Sequence, residues 1–385
     1  MIKVLDLFCG TGGISFGLAV ANSEFVTVAG VDTNRAACET ARANHPGATF
    51  LAQPLEELAS NHILEAANVD EVDLIVGGPP CQGFSSLRPS RGTTLDDPRN
   101  RLYREYQRIV RELRPGAFML ENVVGLVNAT KGGLLNDLIQ GFTEAGYRCD
   151  WRILNAANYG VPQKRERFFL LGVRTDVRPD LEVSFPTPTH SFSGRTIGVQ
   201  DRSRMLEPTD SLPAALSVWD AISDLPGLAA GQSAETYNGR PRNSFQRLMR
   251  GNARTVSLHQ AANHNKKMIT VMEHAGSSKA ALPDGLVKSG YSSCYSRMSA
   301  NEPAPTITVK FTSPASSKCI HPVDSRAITP REAARLQSFP DGFLFAGSKT
   351  EIASQLGNAV PPMLAAKFAP VLFKYFDQTV TRKSE

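Results

Sequence analysis

Apolar residues in this chain fall into short blocks separated by glycine-rich or polar turns, and the blocks alternate between two periods. Ile2 to Phe8 and Phe25 to Val31 read as buried strands, with a helical stretch from Ile14 to Ala21 between them. Gly10-Thr11-Gly12-Gly13 makes the first turn, so the N-terminal segment is a βαβ unit. The pattern continues with helices near Arg35 to Asn44, Leu55 to Ala67, Leu102 to Arg111 and Leu134 to Ala145. Strands fall at Val72 to Val76, Ala117 to Leu120 and Arg167 to Val173. Alternation of this kind predicts an α/β fold built on a doubly wound, mostly parallel sheet.

After Arg174 the texture changes. Phe185-Pro186-Thr187-Pro188-Thr189-His190 reads as an extended linker, and periodicity stays weak to about Asn301 apart from an amphipathic piece at Val218 to Leu225. This predicts a second, smaller, loop-rich domain. Regular structure returns at Thr329-Pro330-Arg331-Glu332, where a threonine cap, proline at the first helical position and glutamate three residues on predict a helix to about Ser338. Gly357-Asn358-Ala359-Val360-Pro361-Pro362 then forms a turn feeding a last apolar helix.

Composition narrows the class. With 385 residues and 41% apolar content the chain buries one large core or two smaller ones, and no run of eighteen apolar residues is present. No signal-peptide pattern opens the sequence, so cytoplasmic residence is expected. The six cysteines, Cys9, Cys38, Cys81, Cys149, Cys294 and Cys319, form no C-x-x-C pair or His/Cys cluster, so free thiols and no metal site are expected. The net charge of +5 is unevenly spread: residues 231 to 330 hold 13 Lys and Arg against 5 Asp and Glu, and one segment carries the positive field.

Several strand ends carry chemistry. In Asp73 to Ser86 the apolar Leu74-Ile75-Val76 is stopped by Gly77-Gly78-Pro79-Pro80, because proline cannot continue a sheet ladder. Cys81 follows at once, where open α/β sheets place ligands beyond the carboxyl ends of strands. A lone cysteine is also a common buried filler. Phe118-Met119-Leu120-Glu121 ends a second strand in a carboxylate able to face the same crevice, and burial would raise its pKa enough to hold a proton. A strand-end glutamate serves equally as a cap or ion-pair partner. Gln163, Arg165 and Arg167 alternate, so they point to one side of an entering strand and can hold a carboxylate, phosphate or carbonyl oxygen. The glycine turn lacks the third glycine of a dinucleotide fingerprint, with Ser15 in its place. Joined to Asp32 at the end of the next strand, the turn suits S-adenosylmethionine better than NAD: there is no pyrophosphate to cradle, and the sulfonium tolerates acidic neighbours.

Asp6-Leu7-Phe8-Cys9-Gly10-Thr11-Gly12-Gly13, Gly78-Pro79-Pro80-Cys81-Gln82, Glu121-Asn122-Val123, Gln163-x-Arg165-x-Arg167 and Gly357-Asn358-Ala359-Val360-Pro361 stand in the order and spacing of the DNA (cytosine-5)-methyltransferases, and the chain resembles the bacterial restriction-modification type. Arg297 to Thr308 looks like the ninth motif of that family. The resemblance covers roughly 1 to 183 and 297 to 377, and thins between Thr187 and Asn252. It implies a methyltransferase-type sheet formed by 1–185 plus 350–385, and a target-recognition domain at 186–349. It implies methyl transfer from S-adenosylmethionine to C5 of a flipped-out cytosine in duplex DNA, with S-adenosylhomocysteine as product. The implied catalytic residues are Cys81, Glu121, Arg165 and Arg167. The implied cofactor residues are Phe8, Gly10, Thr11, Gly12, Gly13, Asp32, Thr33, Leu55, Pro80, Leu102, Asn358, Ala359 and Val360. Gln82, Ser85, Arg240, Arg242, Arg254 and Arg297 are the implied DNA contacts, and a monomer with a companion endonuclease is the implied setting. Two departures stand out: Pro54-Leu55 replaces the usual aspartate-isoleucine pair near the adenine, and Asp32 replaces a glutamate. Some relatives methylate tRNA by the same chemistry, which is the alternative substrate.

Overall fold

In a computed structural model, residues 1–80, 101–128, 132–194, 203–288, 290–292 and 294–377 are described. Seven strands, β1 (Ile2–Leu7), β2 (Phe25–Asp32), β3 (Thr49–Ala52), β4 (Leu74–Gly77), β5 (Ala117–Val123), β6 (Tyr147–Asn155) and β7 (Glu166–Arg174), form one sheet in the order β3-β2-β1-β4-β5-β7-β6. All run parallel except β7, which is antiparallel to both of its neighbours.

The strands are apolar on both sides because helices cover both faces of the sheet. Val4, Leu74, Val76, Met119, Phe169 and Leu171 point to one face, where they meet Ile14 and Leu18 of α1 (Gly13–Ala21). Leu5, Leu7, Ile75, Phe118, Leu120, Phe168 and Leu170 point to the other. That second face is covered by α3 (Ser60–Ala67), α4 (Arg101–Leu113) and α6 (Gly133–Glu144), through Ile63, Tyr106, Leu138 and Phe142. Between these elements lie α2 (Arg35–Asn44) and the short α5 (Gly125–Asn128).

The expected helix from Leu55 is divided: Leu55–Glu57 is a single 3-10 turn and α3 begins only at Ser60. Strands β3 and β6 went unread in the sequence. β3 is four residues long, and β6 carries Arg148, Asp150 and Arg152, whose charges hide its period.

The described residues between 175 and 329 carry three α-helices and no sheet strand, in keeping with the loop-rich expectation. These are α7 (Val218–Ile222), α8 (Ser244–Arg250) and α9 (Lys266–Glu273). Helix α10 (Pro330–Leu336) has the full capping box read from Thr329 and Glu332. Then come α11 (Lys349–Asn358), α12 (Pro362–Ala366) and α13 (Ala369–Phe373), so the last apolar stretch is two short helices rather than one. Leu364 of α12, Leu372 of α13 and Phe368 between the two helices pack onto the same face of the large sheet as α1. Helix α11 shares a core with α7, α8 and α10, and Phe16 and Met363 lean against that core. The smaller region is therefore continuous with one wall of the large one.

That shared core is braced by buried arginines. Arg326, Arg331 and Arg335 are fully buried. Arg335 pairs with Asp341 at 2.6 Å and Asp224 at 3.0 Å, and Arg326 with Glu332 and Asp324 at 2.8 and 2.9 Å. Burial alone would push the Glu332 carboxyl up, but the hydrogen bonds and charge of Arg326 outweigh it and hold it down to about 2. The stability this contributes is complete above pH 4.5 and is lost as pH falls toward 2. Glu332→Gln is expected to cost about 3 kcal/mol near neutral pH, because the buried Arg326 keeps only Asp324 as a charged partner. Chemical denaturation of both proteins from pH 7 to pH 3 checks this: the gap should narrow as the pH falls.

Candidate active site

The sheet register brings the chemistry to one edge. Leu7 is paired with Val31 and with Gly77, and Gly77 with Leu120. Phe8, Asp32, Gly78 and Glu121 are each the next residue, so all four stand at one level of this edge: Phe8 and Gly78 just beyond β1 and β4, Asp32 and Glu121 still in β2 and β5, paired with Ala52 and Phe169. Because β7 runs the opposite way, its beginning lies at this edge too, with Arg167 opposite Val123. A cleft of about 640 Å³ opens there, lined by Phe8 to Thr11, Asp32 to Asn34, Gly78 to Pro80, Glu121 to Val123, Arg165, Arg167 and Gly357 to Val360.

The glycine turn is shaped by left-handed backbone: φ is 54° at Phe8, 51° at Gly10 and 73° at Gly12. Gly13 is required for a different reason, since a Cβ there would stand 2.6 Å from the carbonyl oxygen of Val360. The turn is thus closed against the C-terminal segment. The Asp32 carboxylate accepts from the backbone N–H of Gly10 at 2.9 Å and of Asn34 at 2.8 Å, which fixes it at the rim. Thr11 Oγ1 is buried in the cleft wall with no partner among the described residues, so a bound ligand has a polar atom to satisfy.

Glu121 and Arg167 form the opposite wall, with Nε to Oε1 at 3.1 Å. Burial pushes the Glu121 carboxyl up, while Arg167 and then Arg165 pull it back down; the net shift is upward. Gly78 gives this carboxylate room, because a Cβ would lie 2.9 Å from Glu121 Oε2. Asn122 donates to the Pro79 carbonyl at 2.7 Å and so ties the strand end of Glu121 to the turn that precedes Cys81. This tie was missed in the sequence, although Asn122 stands inside the Glu-Asn-Val motif.

The three alternating residues before β7 divide their work. Gln163 donates to the carbonyl of Leu336 and accepts from the N–H of Ile307. Arg165 donates to the carbonyls of Ile307, Gly357 and Ala359 at 3.2, 3.2 and 2.8 Å. Only Arg167 reaches Glu121.

Phe8, Gly10, Thr11, Gly13, Asp32, Thr33, Pro80, Asn358, Ala359 and Val360 line the cleft as expected. Gly12 does not, and packs on His45 instead. Leu55 is 2% exposed in the core beneath α4, and neither Leu55 nor Leu102 is among the residues lining the cleft. Cys81, Gln82 and Ser85 lie outside the described residues.

On the expected DNA face, Arg240, Arg242, Arg247 and Arg254 are exposed. Arg250, in the same basic segment, pairs with Asp224 at 2.7 Å and lies over the Tyr237 ring at 3.7 Å. Arg297 is likewise committed, donating to the carbonyls of Met272, Ala275, His321 and Asp324, so it braces the small region rather than reaching DNA.

A parallel sheet with one reversed strand, a glycine turn and an acidic rim define an S-adenosylmethionine-dependent methyltransferase. The model of the C-5 cytosine-specific DNA methylases matches residues 2–374, and the chain belongs to that family. It is 34% identical over 376 residues to the type II methyltransferase M1.HphI of Haemophilus parahaemolyticus, covering 97% of this chain and 87% of that protein. It is 32% identical over 435 residues to the type II methyltransferase M.AgeI of Thalassovita gelatinovora, covering 96% and 99%. A solved E. coli structure, described as a prophage-encoded DNA modification methyltransferase, superposes with TM-score 0.76 at 27% identity over 98% of this chain and 99% of that one. The DNMT2 of Spodoptera frugiperda shares the fold, with TM-score 0.61 at 17% identity over 97% and 100%. The chain is a DNA (cytosine-5)-methyltransferase of restriction-modification type that uses S-adenosylmethionine. No helix among the described residues is long and apolar enough to cross a membrane.

Proposed function

We propose that the two walls of the cleft work on one cytosine flipped out of duplex DNA, which Cys81 attacks at C6. The observation that carries this reading is the Glu121 to Arg167 pair at the sheet edge, tied through Asn122 to the turn before Cys81. C5 of cytosine is a weak nucleophile, and thiolate addition at C6 makes it electron-rich. Glu121, lifted by burial, holds a proton toward the third ring nitrogen, while Arg167 donates to the C2 carbonyl oxygen. Arg165 is a positioning residue, because its donors are occupied in holding the C-terminal wall.

The orphaned Thr11 hydroxyl, the Asp32 carboxylate and the strand-end glycine turn fit S-adenosylmethionine, whose ribose diol suits Asp32. When bound, that cofactor supplies an electrophilic methyl group. Loss of the C5 proton then expels Cys81. In this reading residues 1–185 with 350–385 carry the chemistry and 186–349 the target recognition. Arg240, Arg242, Arg247 and Arg254 bind phosphates, which positions the duplex without reading it. A monomeric cytoplasmic enzyme paired with a cognate endonuclease, releasing S-adenosylhomocysteine, completes the proposal.

The test is incubation with S-adenosylmethionine and, in parallel, unmodified duplex DNA or tRNA, followed by base-resolution mapping of 5-methylcytosine. Modification confined to one sequence context in duplex DNA is expected. Modification of tRNA alone overturns the DNA reading.

A further inference from the structure

Beneath the glycine turn, three side chains that methyl transfer does not use form one hydrogen-bonded line. Asp6, Ser15 and His45 are 1%, 1% and 6% exposed. Ser15 Oγ lies 2.6 Å from Asp6 Oδ2 and 3.2 Å from both His45 Nε2 and the Gly12 carbonyl oxygen, which already accepts from the Phe16 N–H. The other ring nitrogen, Nδ1, is 2.9 Å from the carbonyl oxygen of Ala41. A carbonyl only accepts, so Nδ1 carries a proton, and in the neutral ring Nε2 must accept. Ser15 has one proton to give. It cannot serve His45 and an ionised Asp6 together.

The line is fully bonded only when it holds one more proton, in either of two arrangements. Asp6 can be protonated and donate to Ser15, which donates to His45. Alternatively His45 is protonated and donates to Ser15, which donates to Asp6. Without that proton a buried acceptor is left unserved.

The surroundings favour keeping it. Asp32 from β2 faces Asp6 as a like charge, Tyr106 of α4 and Cys9 of the turn adjoin it, and Cys38 of α2 contacts Cys9. Phe16 and Phe50 flank the His45 ring, and its remaining side abuts Gly12. Burial lifts the Asp6 carboxyl to about 7 against the opposing Ser15 hydrogen bond, and burial also lowers the His45 imidazole. Asp6 meanwhile lines the cleft between Asp32 and Gly78, because its strand neighbours are Gly30 and Val76.

Resting on the cofactor reading above, we propose that Asp6, Ser15 and His45 are a one-proton relay that distinguishes a cationic cofactor from its neutral product. A sulfonium in the cleft favours the ionised Asp6, and the proton leaves to water. A thioether in the same place carries no charge, and the proton stays. Ser15 and His45 are positioning residues that set how firmly it is held. The sign follows: S-adenosylmethionine affinity falls as pH drops below about 7, approaching tenfold per pH unit, and S-adenosylhomocysteine affinity falls less.

Calorimetric titration of the whole protein at pH 6.5, in buffers of different ionisation enthalpy, counts the protons released by each ligand. Both ligands carry the same amino and carboxyl groups, so the difference between them isolates the sulfur. Roughly half a proton or more is expected in excess for S-adenosylmethionine, absent in Asp6→Asn and larger in Ser15→Ala, which removes the hydrogen bond that opposes the proton on Asp6. Equal counts for the two ligands in the wild type overturn the relay while leaving the cofactor reading intact. An excess that Ser15→Ala leaves unchanged overturns the part assigned to Ser15 and His45. Failure to bind either ligand overturns the cofactor reading and the relay with it. The wild-type comparison stands even where a variant does not fold.

Discussion

Cys81→Ala is expected to abolish 5-methylcytosine formation, a loss of at least about 10⁴-fold, while leaving cofactor and DNA binding within a fewfold of wild type. The reasoning is chemical: without a thiolate at C6 the pyrimidine carbon never becomes nucleophilic. The surroundings supply the second half. Glu121→Gln keeps the shape of the wall and an N–H donor, but removes the acid and the partner of Arg167, whose guanidinium is largely buried. Its expected cost is a smaller loss, about 10²–10⁴-fold, carried by the turnover rate. Single-turnover methylation of a defined duplex separates the two. A Cys81→Ala protein that still methylates removes the covalent mechanism, and a Glu121→Gln protein of wild-type rate removes the protonated acid.

Deletion of residues 348–385 is expected to abolish S-adenosylmethionine binding. The segment contributes Ser354, Gln355 and Gly357 to Val360 to the cleft. It also contributes α12 and α13, whose Leu364 and Leu372, with Phe368 between the helices, cover one face of the sheet. Contact is close enough that a Cβ on Gly17 would stand 2.3 Å from the Pro362 carbonyl oxygen, and one on Gly357 2.2 Å from the Val309 nitrogen. Equilibrium dialysis against labelled cofactor, with circular dichroism to follow the sheet, is the measurement. Retained binding by the shortened chain contradicts this arrangement of the wall.

Most strands were legible because a sheet buried on both faces leaves uninterrupted apolar runs, as in Leu74-Ile75-Val76 and Phe168-Phe169-Leu170-Leu171. β6 was not, because its charged residues pair locally, Arg152 with Asp150 at 2.6 Å, and mask the period. In the site, Glu121 and Asp32 were readable as carboxylates at strand ends. The separate duties of Arg165 and Arg167 were not, since alternation places two side chains on one side without saying which meets a carbonyl and which a carboxylate. Leu55 and Arg297 show a related limit: a motif position marks a residue as constrained without saying by what, and here Leu55 packs in the core and Arg297 donates to backbone carbonyls. Ser15 was noticed as a missing glycine, yet its partner His45 lies after α2 and is joined to it only by folding.

The meeting of Gly13 with Val360 spans nearly the whole length of the chain. Closing so long a loop has a high entropic cost, so the pairing of neighbouring strands precedes it. Until the two ends of the chain have met, the cleft lacks the wall that Gly357 to Val360 supply.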